Sequence, residues 1–216
     1  SPVTHAVNKT FAAMSAALAS DCLDRLGLRN QVLDPRVVAL EPGMRVIGPA
    51  HTLLASDQPG DASDPYAGEI AAVDAIALGT VVVISTCHEA AIWGELLATS
   101  ATARGAVGVV SDAPVRDTQQ LCAMGFATFC VGASPRDSQG RVSIAAHNVA
   151  ITCAGVEIAP GDLIVGDRDG VVAIPQQAID EVVRLAGEKL QGEDTVRAAL
   201  AAGQTLRSVF DDHRIL

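Results

Sequence analysis

The sequence predicts an α/β fold built on a parallel pair of buried strands, and three observations predict it. Thr80-Val81-Val82-Val83-Ile84-Ser85 is a short apolar, β-branched run, the pattern of a strand buried on both faces. Gly105-Ala106-Val107-Gly108-Val109-Val110 is a second such run. Between them residues 96–104 read as a helix, with Gly94 at its start and Gly105 just past its end. Strand, helix, strand in that order is a crossover unit with parallel strands. The loops that follow strand C-termini in such units lie along one edge of the sheet, where ligands bind. Glu95 follows the first strand and Arg116-Asp117 follow the second, so these residues should be neighbours in space although residues 96–115 separate them.

The remaining elements follow from the same signals. Residues 8–27 suggest one helix, with Met14, Leu18, Cys22 and Leu26 at helical spacing and Gly27 placed to end it. Residues 32–55 read as strands and turns. Pro35, Pro42-Gly43 and Gly48-Pro49 punctuate Val37–Leu40 and Met44–Ile47, and His51–Ala55 continues as a strand. Residues 56–68 form the longest loop, with three Asp and no β-branched residue, the profile of a mobile segment or a lid. A short helix at 69–77 leads into the strand at 80–85. After Asp117 a helix passes Leu121 and Met124 to a cap at Gly125, and Ala127–Val131 is a third buried strand.

Residues 141–175 are rich in β-structure, with Pro160-Gly161-Asp162 and Asp167-Arg168-Asp169-Gly170 as turns. The second of these lacks the third acidic position and the distal Glu of a calcium loop and reads as a tight turn. Gln176 to Ala202 reads as helical, with Ile179, Val182, Val183, Ala186 and Leu190 as an apolar stripe, an interruption at Gly192 and a polar restart at Glu193. No repeat, low-complexity segment or linker divides the chain, so one domain is expected, its C-terminal segment 176–216 packing on a neighbouring subunit or fraying.

Composition narrows the function. The 216 residues are 49% apolar but only 3% aromatic, so aliphatic side chains must fill the core. A net charge of −10 argues against a nucleic-acid partner, because phosphate binding needs basic patches. The five Cys, at 22, 87, 122, 130 and 153, show no C-x-x-C spacing and suit reduced thiols. No apolar run approaches the roughly 18 residues of a membrane span. Ser1-Pro2-Val3-Thr4-His5 lacks the basic start and apolar centre of a signal peptide. A cytoplasmic protein is the expectation, with neither membrane nor nucleic acid as partner.

On their own, an acid at a helix start is a favourable dipole partner and an Arg-Asp pair in a turn is an ion pair; their placement at one sheet edge is what points to a site. No two His have ligand spacing, which argues against zinc, and no His-Asp-Ser order supports a hydrolase. Cys87 beside His88 is not evidence for a thiol nucleophile, although His88 stands near enough to the sheet edge to contact a substrate.

Taken together, Gly48-Pro49-Ala50, Gly94-Glu95-Leu96-Leu97-Ala98, Val115-Arg116-Asp117, Pro160-Gly161-Asp162, Gly166-Asp167, Asp169-Gly170-Val171-Val172 and Pro175 resemble the RraA-like family over most of the chain. That family holds metal-dependent pyruvate aldolases acting on 4-hydroxy-4-methyl-2-oxoglutarate and 4-carboxy-4-hydroxy-2-oxoadipate, and regulators of ribonuclease E. The resemblance implies an αββα sandwich of the swivelling β/β/α type, a single domain assembled as a homotrimer or a dimer of trimers.

The family's active pattern is an acid, twenty residues, then Arg-Asp, here Glu95 to Arg116-Asp117. Two departures stand out: Glu95 is one carbon longer than the usual Asp, and Asp112-Ala113-Pro114 replaces the usual Asp-Gly before the Arg-Asp turn. The regulators lack the acid, so Glu95 favours the enzyme over the non-catalytic alternative.

Retro-aldol cleavage of a 4-hydroxy-2-oxo acid leaves charge on a pyruvate enolate. The only Lys are Lys9 and Lys189, outside the 94–117 stretch, which disfavours a Schiff base and favours a divalent cation, Mg²⁺ or Mn²⁺, as Lewis acid. Asp117 is the expected direct ligand, as the resemblance also implies, with Glu95 holding a water of the metal's shell. Arg116 offers a fork of donors to the 2-oxo oxygen. The helix start at Gly94, Glu95, Leu96 and Leu97 offers backbone N–H groups to the substrate carboxylate. Glu193 matches a family acid supplied by an adjacent subunit, for proton transfer through water. Oxaloacetate decarboxylation would use the same enolate chemistry.

Overall fold

Residues 9–86 and 88–216 are described by the computed structural model. Cys87 and residues 1–8, and with them the readings made above of Cys87 and of the N-terminus, lie outside these. From Ser15 to Gln177 the chain order is α1 (Ala16–Arg25), β1 (Val38–Ala39), β2 (Val46–Ser56), α2 (Ala67–Asp74), β3 (Val81–Ser85), α3 (Glu95–Ala103), β4 (Gly108–Ser111), α4 (Thr118–Met124), β5 (Ala127–Cys130), β6 (Ser143–His147), β7 (Ile151–Cys153), β8 (Val156–Ile158), β9 (Leu163–Asp167) and β10 (Gly170–Ile174). A second unit joins residues up to Met14 with Ala178–Leu216 and carries α5 (Ile179–Ala201) and α6 (Leu206–His213).

The sheet runs β1-β5-β4-β3-β2-β9-β10, with β6 also on β2 and β7-β8 as a separate hairpin. β2, β3, β4 and β5 are parallel, as the crossover pattern requires, and β1, β9 and β10 are antiparallel to their neighbours. Strict alternation buries both faces. Val82, Ile84, Val109 and Cys130 join the cluster covered by α2, α3 and α4, through Ala72, Val73, Ala98, Ala101 and Leu121. Val81, Val83, Val110 and Phe129 join a second cluster with Ile151, Cys153, Val156, Ile158, Ile164, Val171 and Ala173 from β7 to β10. Helix α1 packs on the outer side of β9 and β10. The layers are therefore helix, sheet, sheet, helix, the expected αββα arrangement. Leu33 N–H bonds Val171 O at 2.9 Å and Val32 pairs with Val172, which brings the two ends of the sheet together and nearly closes it.

Three sequence expectations change. The first helix does not run through from 8 to 27; residues 9–13 are helical, and Ser15 caps a new helix by accepting Leu18 N–H at 3.1 Å. A serine hydroxyl that satisfies an orphan N–H outcompetes continuation. That helix does end at Gly27, whose φ of +77° permits paired bonds from Gly27 N–H to Asp24 O and from Leu28 N–H to Leu23 O.

Gly48-Pro49 is not a break but the middle of β2, an 11-residue strand. Residues Val46–Pro49 pair with β9 and Ala50–Leu54 with β3, so the proline sits where the strand changes partners and a missing N–H is tolerated. Gly192 does not interrupt α5, which continues over 23 residues. A glycine costs only about 1 kcal/mol in a helix, and here its bare backbone admits Ile215, whose Cδ1 comes too close to leave room for a Cβ.

Within the second unit, Val182, Val183, Leu185, Ala186 and Val196 are buried on α5. Arg184 bridges Glu181 at 2.6 Å and Glu188 at 2.5 Å on the solvent side. The tail beyond Ala202 forms a capped helix, Thr205 accepting Ser208 N–H at 3.2 Å.

Gly68, in the first turn of α2, lies so close to β6 that a Cβ on it would run into the carbonyl oxygen of Ile144. Gly68→Ala is expected to lower stability by about 1–3 kcal/mol by forcing α2 outward. Urea denaturation checks this, and an unchanged midpoint would show that the helix has room the structure does not contain.

Candidate active site

The parallel strands deliver their loops to one edge, and three segments meet there. Gly94 closes the loop after β3 and starts α3; Arg116-Asp117 close the loop after β4 and start α4. The third segment is the loop after β5, where Val115 pairs with Ala133 and Ala91 with Asp137. Arg116 N–H donates to Trp93 O at 3.0 Å, and Ala91 N–H to Arg136 O at 2.9 Å, so the three loops are laced by backbone bonds. Beneath them Trp93 is buried and stacked on Phe126, with ring centroids 6.0 Å apart.

Asp117 is the pivot. Its Oδ2 accepts Glu95 N–H at 3.0 Å, so a carboxylate caps the positive end of α3 from the neighbouring loop. The contact needs glycine at 94, where a Cβ would stand 2.6 Å from that same oxygen. Asp117 itself is left-handed, with φ 54° and ψ 41°. Aspartate tolerates this conformation better than most residues, and non-glycine residues held there gather at functional sites.

A cavity of about 290 Å³ opens beside this pivot. Gly94, Leu96, Leu97, Arg116 and Asp117 line it, together with Tyr66, Glu69, Ile70, Ile92, Asp137 and Ser138. The structure thus brings Arg116, Asp117, Gly94, Leu96 and Leu97 together as expected. Glu95 shares the cluster through its backbone, but its carboxylate turns along α3 to accept the Thr99 hydroxyl at 2.9 Å. Of the helix-start N–H groups, that of Glu95 is already bound to Asp117, which leaves those of Leu96 and Leu97 for a ligand. Glu193 lies on α5 in the second unit, 3.7 Å from Lys189 and 3.9 Å from Arg197.

Four polar residues of this cavity escaped the sequence reading. Tyr66, the only Tyr in the chain, ends the loop at 57–66 and donates its hydroxyl to Asp137 Oδ2 at 2.6 Å. Asp137 Oδ1 lies 3.3 Å from Arg116 Nη1 and accepts its neighbour Ser138 N–H at 2.8 Å. Burial pushes the Asp137 carboxyl up, but the Tyr66 hydroxyl, Arg116 and nearby backbone N–H groups outweigh it and hold the group below the usual range. The same bond pushes the Tyr66 phenol up. Glu69, on α2, is 2% exposed; its Oε1 accepts the Ser138 hydroxyl at 3.3 Å, and its Oε2 is buried without a partner. Burial raises the Glu69 carboxyl above the ordinary carboxylate range.

Other residues singled out by the sequence lie outside this cavity. His51 is buried, its Nε2 2.8 Å from Ala72 O. His88 Nδ1 accepts Ala90 N–H at 3.0 Å and lines a different cavity, with Arg36 and Asp112. Asp112, in place of the expected Asp-Gly, is spent on Thr86 N–H at 2.8 Å and Ala154 N–H at 3.2 Å. Asp167-Arg168-Asp169-Gly170 is the β9–β10 turn, with Asp167 accepting Asp169 N–H at 2.9 Å and Ala16 N–H at 2.8 Å. Cys122, Cys130 and Cys153 are free thiols. Among the described residues no helix is long and apolar enough to cross a membrane.

Comparison with known proteins bears on the family and the fold. A family profile for RraA-like proteins, described as Aldolase/RraA, matches residues 16–173. Protein DlpA of Legionella pneumophila is 30% identical over 203 residues, a match that covers 92% of this chain and 32% of DlpA, so the chain spans about a third of that relative. A protein of Halalkalibacterium halodurans, provisionally named 4-hydroxy-4-methyl-2-oxoglutarate aldolase, is 34% identical over 189 residues, covering 87% of this chain and 84% of the relative. Among solved structures, Streptomyces coelicolor RraAS2, described as an unusual member of the RNase ES inhibitor RraA family, superposes with a TM-score of 0.81 at 30% identity, covering 88% of this chain and 96% of that one. With the αββα layers and the Gly94–Asp117 cluster in place, the chain belongs to the RraA-like family.

Proposed function

We propose that the chain is a divalent-metal-dependent pyruvate aldolase of the class II type. It cleaves a 4-hydroxy-2-oxo acid, the class to which 4-hydroxy-4-methyl-2-oxoglutarate and 4-carboxy-4-hydroxy-2-oxoadipate belong, and it decarboxylates oxaloacetate through the same enolate. The observation that carries this reading is Asp117, left-handed, pinned to the start of α3 and set beside Arg116 in the wall of a small cavity. The name of the Halalkalibacterium relative supports it. The likeness to RraAS2 supports a second reading, a protein that binds an RNA-processing enzyme without catalysis.

The residues suit a hard cation. One Asp117 oxygen is engaged by Glu95 N–H while the carboxylate stays 39% exposed towards the cavity side, and Mg²⁺ asks for only one or two carboxylates beside water and substrate. When bound by Asp117, such a cation supplies Lewis-acid stabilisation of an enolate. Cleavage takes the proton from the 4-hydroxyl, breaks the C3–C4 bond and leaves its electron pair as the pyruvate enolate, which accepts a proton at C3. Arg116, anchored through its backbone to Trp93, directs its fork at the 2-oxo oxygen, where that charge gathers. Leu96 and Leu97 N–H groups receive the substrate carboxylate at the helix start. Glu95 orders water near Asp117, and Glu193 of an adjacent protomer in a trimer or hexamer moves protons through water.

Asp117→Asn keeps the left-handed backbone and an oxygen for Glu95 N–H but removes the charge. Pyruvate release is expected to fall by at least about 10²-fold, with Mn²⁺ binding lost by calorimetry. Full turnover in excess EDTA would refute the metal reading, and absence of turnover by the metal-loaded wild type would favour the regulator.

Arg116→Lys is expected to lose nearly as much kcat as Arg116→Ala, on the order of 10²–10³-fold, because a point charge cannot reproduce the fork. Steady-state kinetics decide it; near-normal kcat in the lysine variant would reduce Arg116 to a simple charge.

A site shared between protomers predicts complementation. Inactive Asp117→Asn and Glu193→Ala proteins, mixed and allowed to exchange subunits, should regain part of the activity, since some mixed interfaces hold both intact residues. Verified exchange with no recovery would remove Glu193 from the neighbour's site.

A further inference from the structure

The backbone of Arg116 is fixed by its bond to Trp93, but its guanidinium stands at the end of a long side chain that is 39% exposed. Such a side chain has many rotamers, and something must choose among them if the fork is to face a ligand. Two carboxylates stand near it. Asp117 is the looser partner: its Oδ2 lies 4.0 Å from Nε, beyond hydrogen-bond reach, and the same oxygen accepts Glu95 N–H. Asp137 is the closer, with Oδ1 3.3 Å from Nη1.

Asp137 is itself held at both oxygens. Oδ1 accepts Ser138 N–H at 2.8 Å, and Oδ2 accepts the Tyr66 hydroxyl at 2.6 Å. Tyr66 stands directly before α2, and Ser138 donates its hydroxyl to Glu69 Oε1 on that helix, where Glu69 is 2% exposed. Burial opposes the charge on Asp137, but the Tyr66 hydroxyl and Arg116 outweigh it and keep the carboxylate ionised. Exposed ion pairs are weak largely because two free side chains must be ordered to form them. Here one partner is ordered beforehand, and α2, packed on the sheet through Ala72 and Val73, is what orders it. All of these contacts lie within one protomer, so they stand whatever a neighbouring subunit adds.

We propose that Asp137 is a positioning residue for Arg116. It takes Nη1 and turns the guanidinium so that the remaining N–H groups face the cavity, and Tyr66 sets the rotamer of Asp137. In the aldolase reading, on which this step rests, those groups meet the 2-oxo oxygen as the enolate forms. A donor aimed before the reaction needs no reorganisation when the charge develops. Asp137 itself touches no reacting atom.

A double-mutant cycle on the Mg²⁺-loaded protein tests this, with pyruvate release from 4-hydroxy-4-methyl-2-oxoglutarate and from oxaloacetate as the assay. Asp137→Ala should lower kcat about 10- to 10²-fold, the scale of a misplaced catalytic group. KM should change by less than about twofold, since the lost orientation matters most in the transition state. Tyr66→Phe should lose about threefold, and Asp137→Asn, which keeps an oxygen for Nη1, should recover part of the alanine loss. On the residual activity of Arg116→Ala, neither Asp137→Ala nor Tyr66→Phe should have any further effect, because a residue that acts through another is silent without it. Crystals of Asp137→Ala give a readout apart from turnover: Arg116 should lose its single orientation while the contact between Glu95 and Asp117 stays. An unchanged kcat in Asp137→Ala, additive losses in the cycle, or an Arg116 that keeps its place in those crystals would each overturn the inference. A wild type that turns over neither substrate would defeat the aldolase reading, and the crystals would then decide alone: with Arg116 displaced the positioning role stands, with Arg116 unmoved it falls.

Discussion

One hydrogen bond, from Glu95 N–H to the Asp117 carboxylate, holds the candidate site in its form. It joins two loops that leave adjacent parallel strands, and it does so with a charge placed on a helix end, where such a charge is favourable. Three other features serve it. Gly94 has no side chain because the carboxylate passes where a Cβ would be. Asp117 accepts a left-handed backbone to aim its side chain back at α3. Arg116, one residue earlier, is tied by its own N–H to Trp93, which is buried against Phe126. The candidate residues thus stand on loops, yet each loop is fastened to the core within one or two residues.

How much of this was legible depended on the range of the interaction. The strands around Val82, Val109 and Phe129 announce themselves because burial on both faces demands unbroken apolar runs, a local signal. The meeting of Glu95 with Asp117 also followed from topology, since crossover units deliver successive loops to one edge. The change of partner inside β2 was hidden because Gly48-Pro49 looks like a turn, and only the placement of β9 and β3 on either side makes it a strand. Gly192 misled for the same reason: its function is to admit Ile215, a contact no local pattern encodes. Glu69 and Asp137 carried no signal, and Tyr66 only that of a long loop read as mobile or a lid. They come from a loop, a helix and a second loop; a hydroxyl-to-carboxylate bond across 71 residues joins Tyr66 to Asp137, and Glu69 meets the next residue, Ser138.

Fold and reaction are separate questions for this chain. The layers, the parallel strands and the glycines at close approaches are requirements of packing, and a regulator needs them as much as an enzyme does. The side chains at the sheet edge are not fixed by that packing. Here these include an acid at 95 whose carboxylate leans on Thr99 and an acid at 137 held ionised by Tyr66 and Arg116. Exchanging either alters the surface offered to a ligand while leaving both apolar clusters untouched.

The division of β2 between two sets of neighbours has a consequence for cooperativity. Its first four residues belong to the ladder with β9, its next five to the ladder with β3, and its end to the ladder with β6. A sheet assembled from separate strands on each side is able to open like a book, one half at a time. This one shares a spine. Loosening β9 and β10 disturbs the same backbone that registers β3, and β3 ends in the loop that carries Gly94. Partial opening at the closed side of the sheet is therefore transmitted to the loops of the cavity, and the stability of the ligand-binding edge is that of the whole sheet rather than of the three loops that form it.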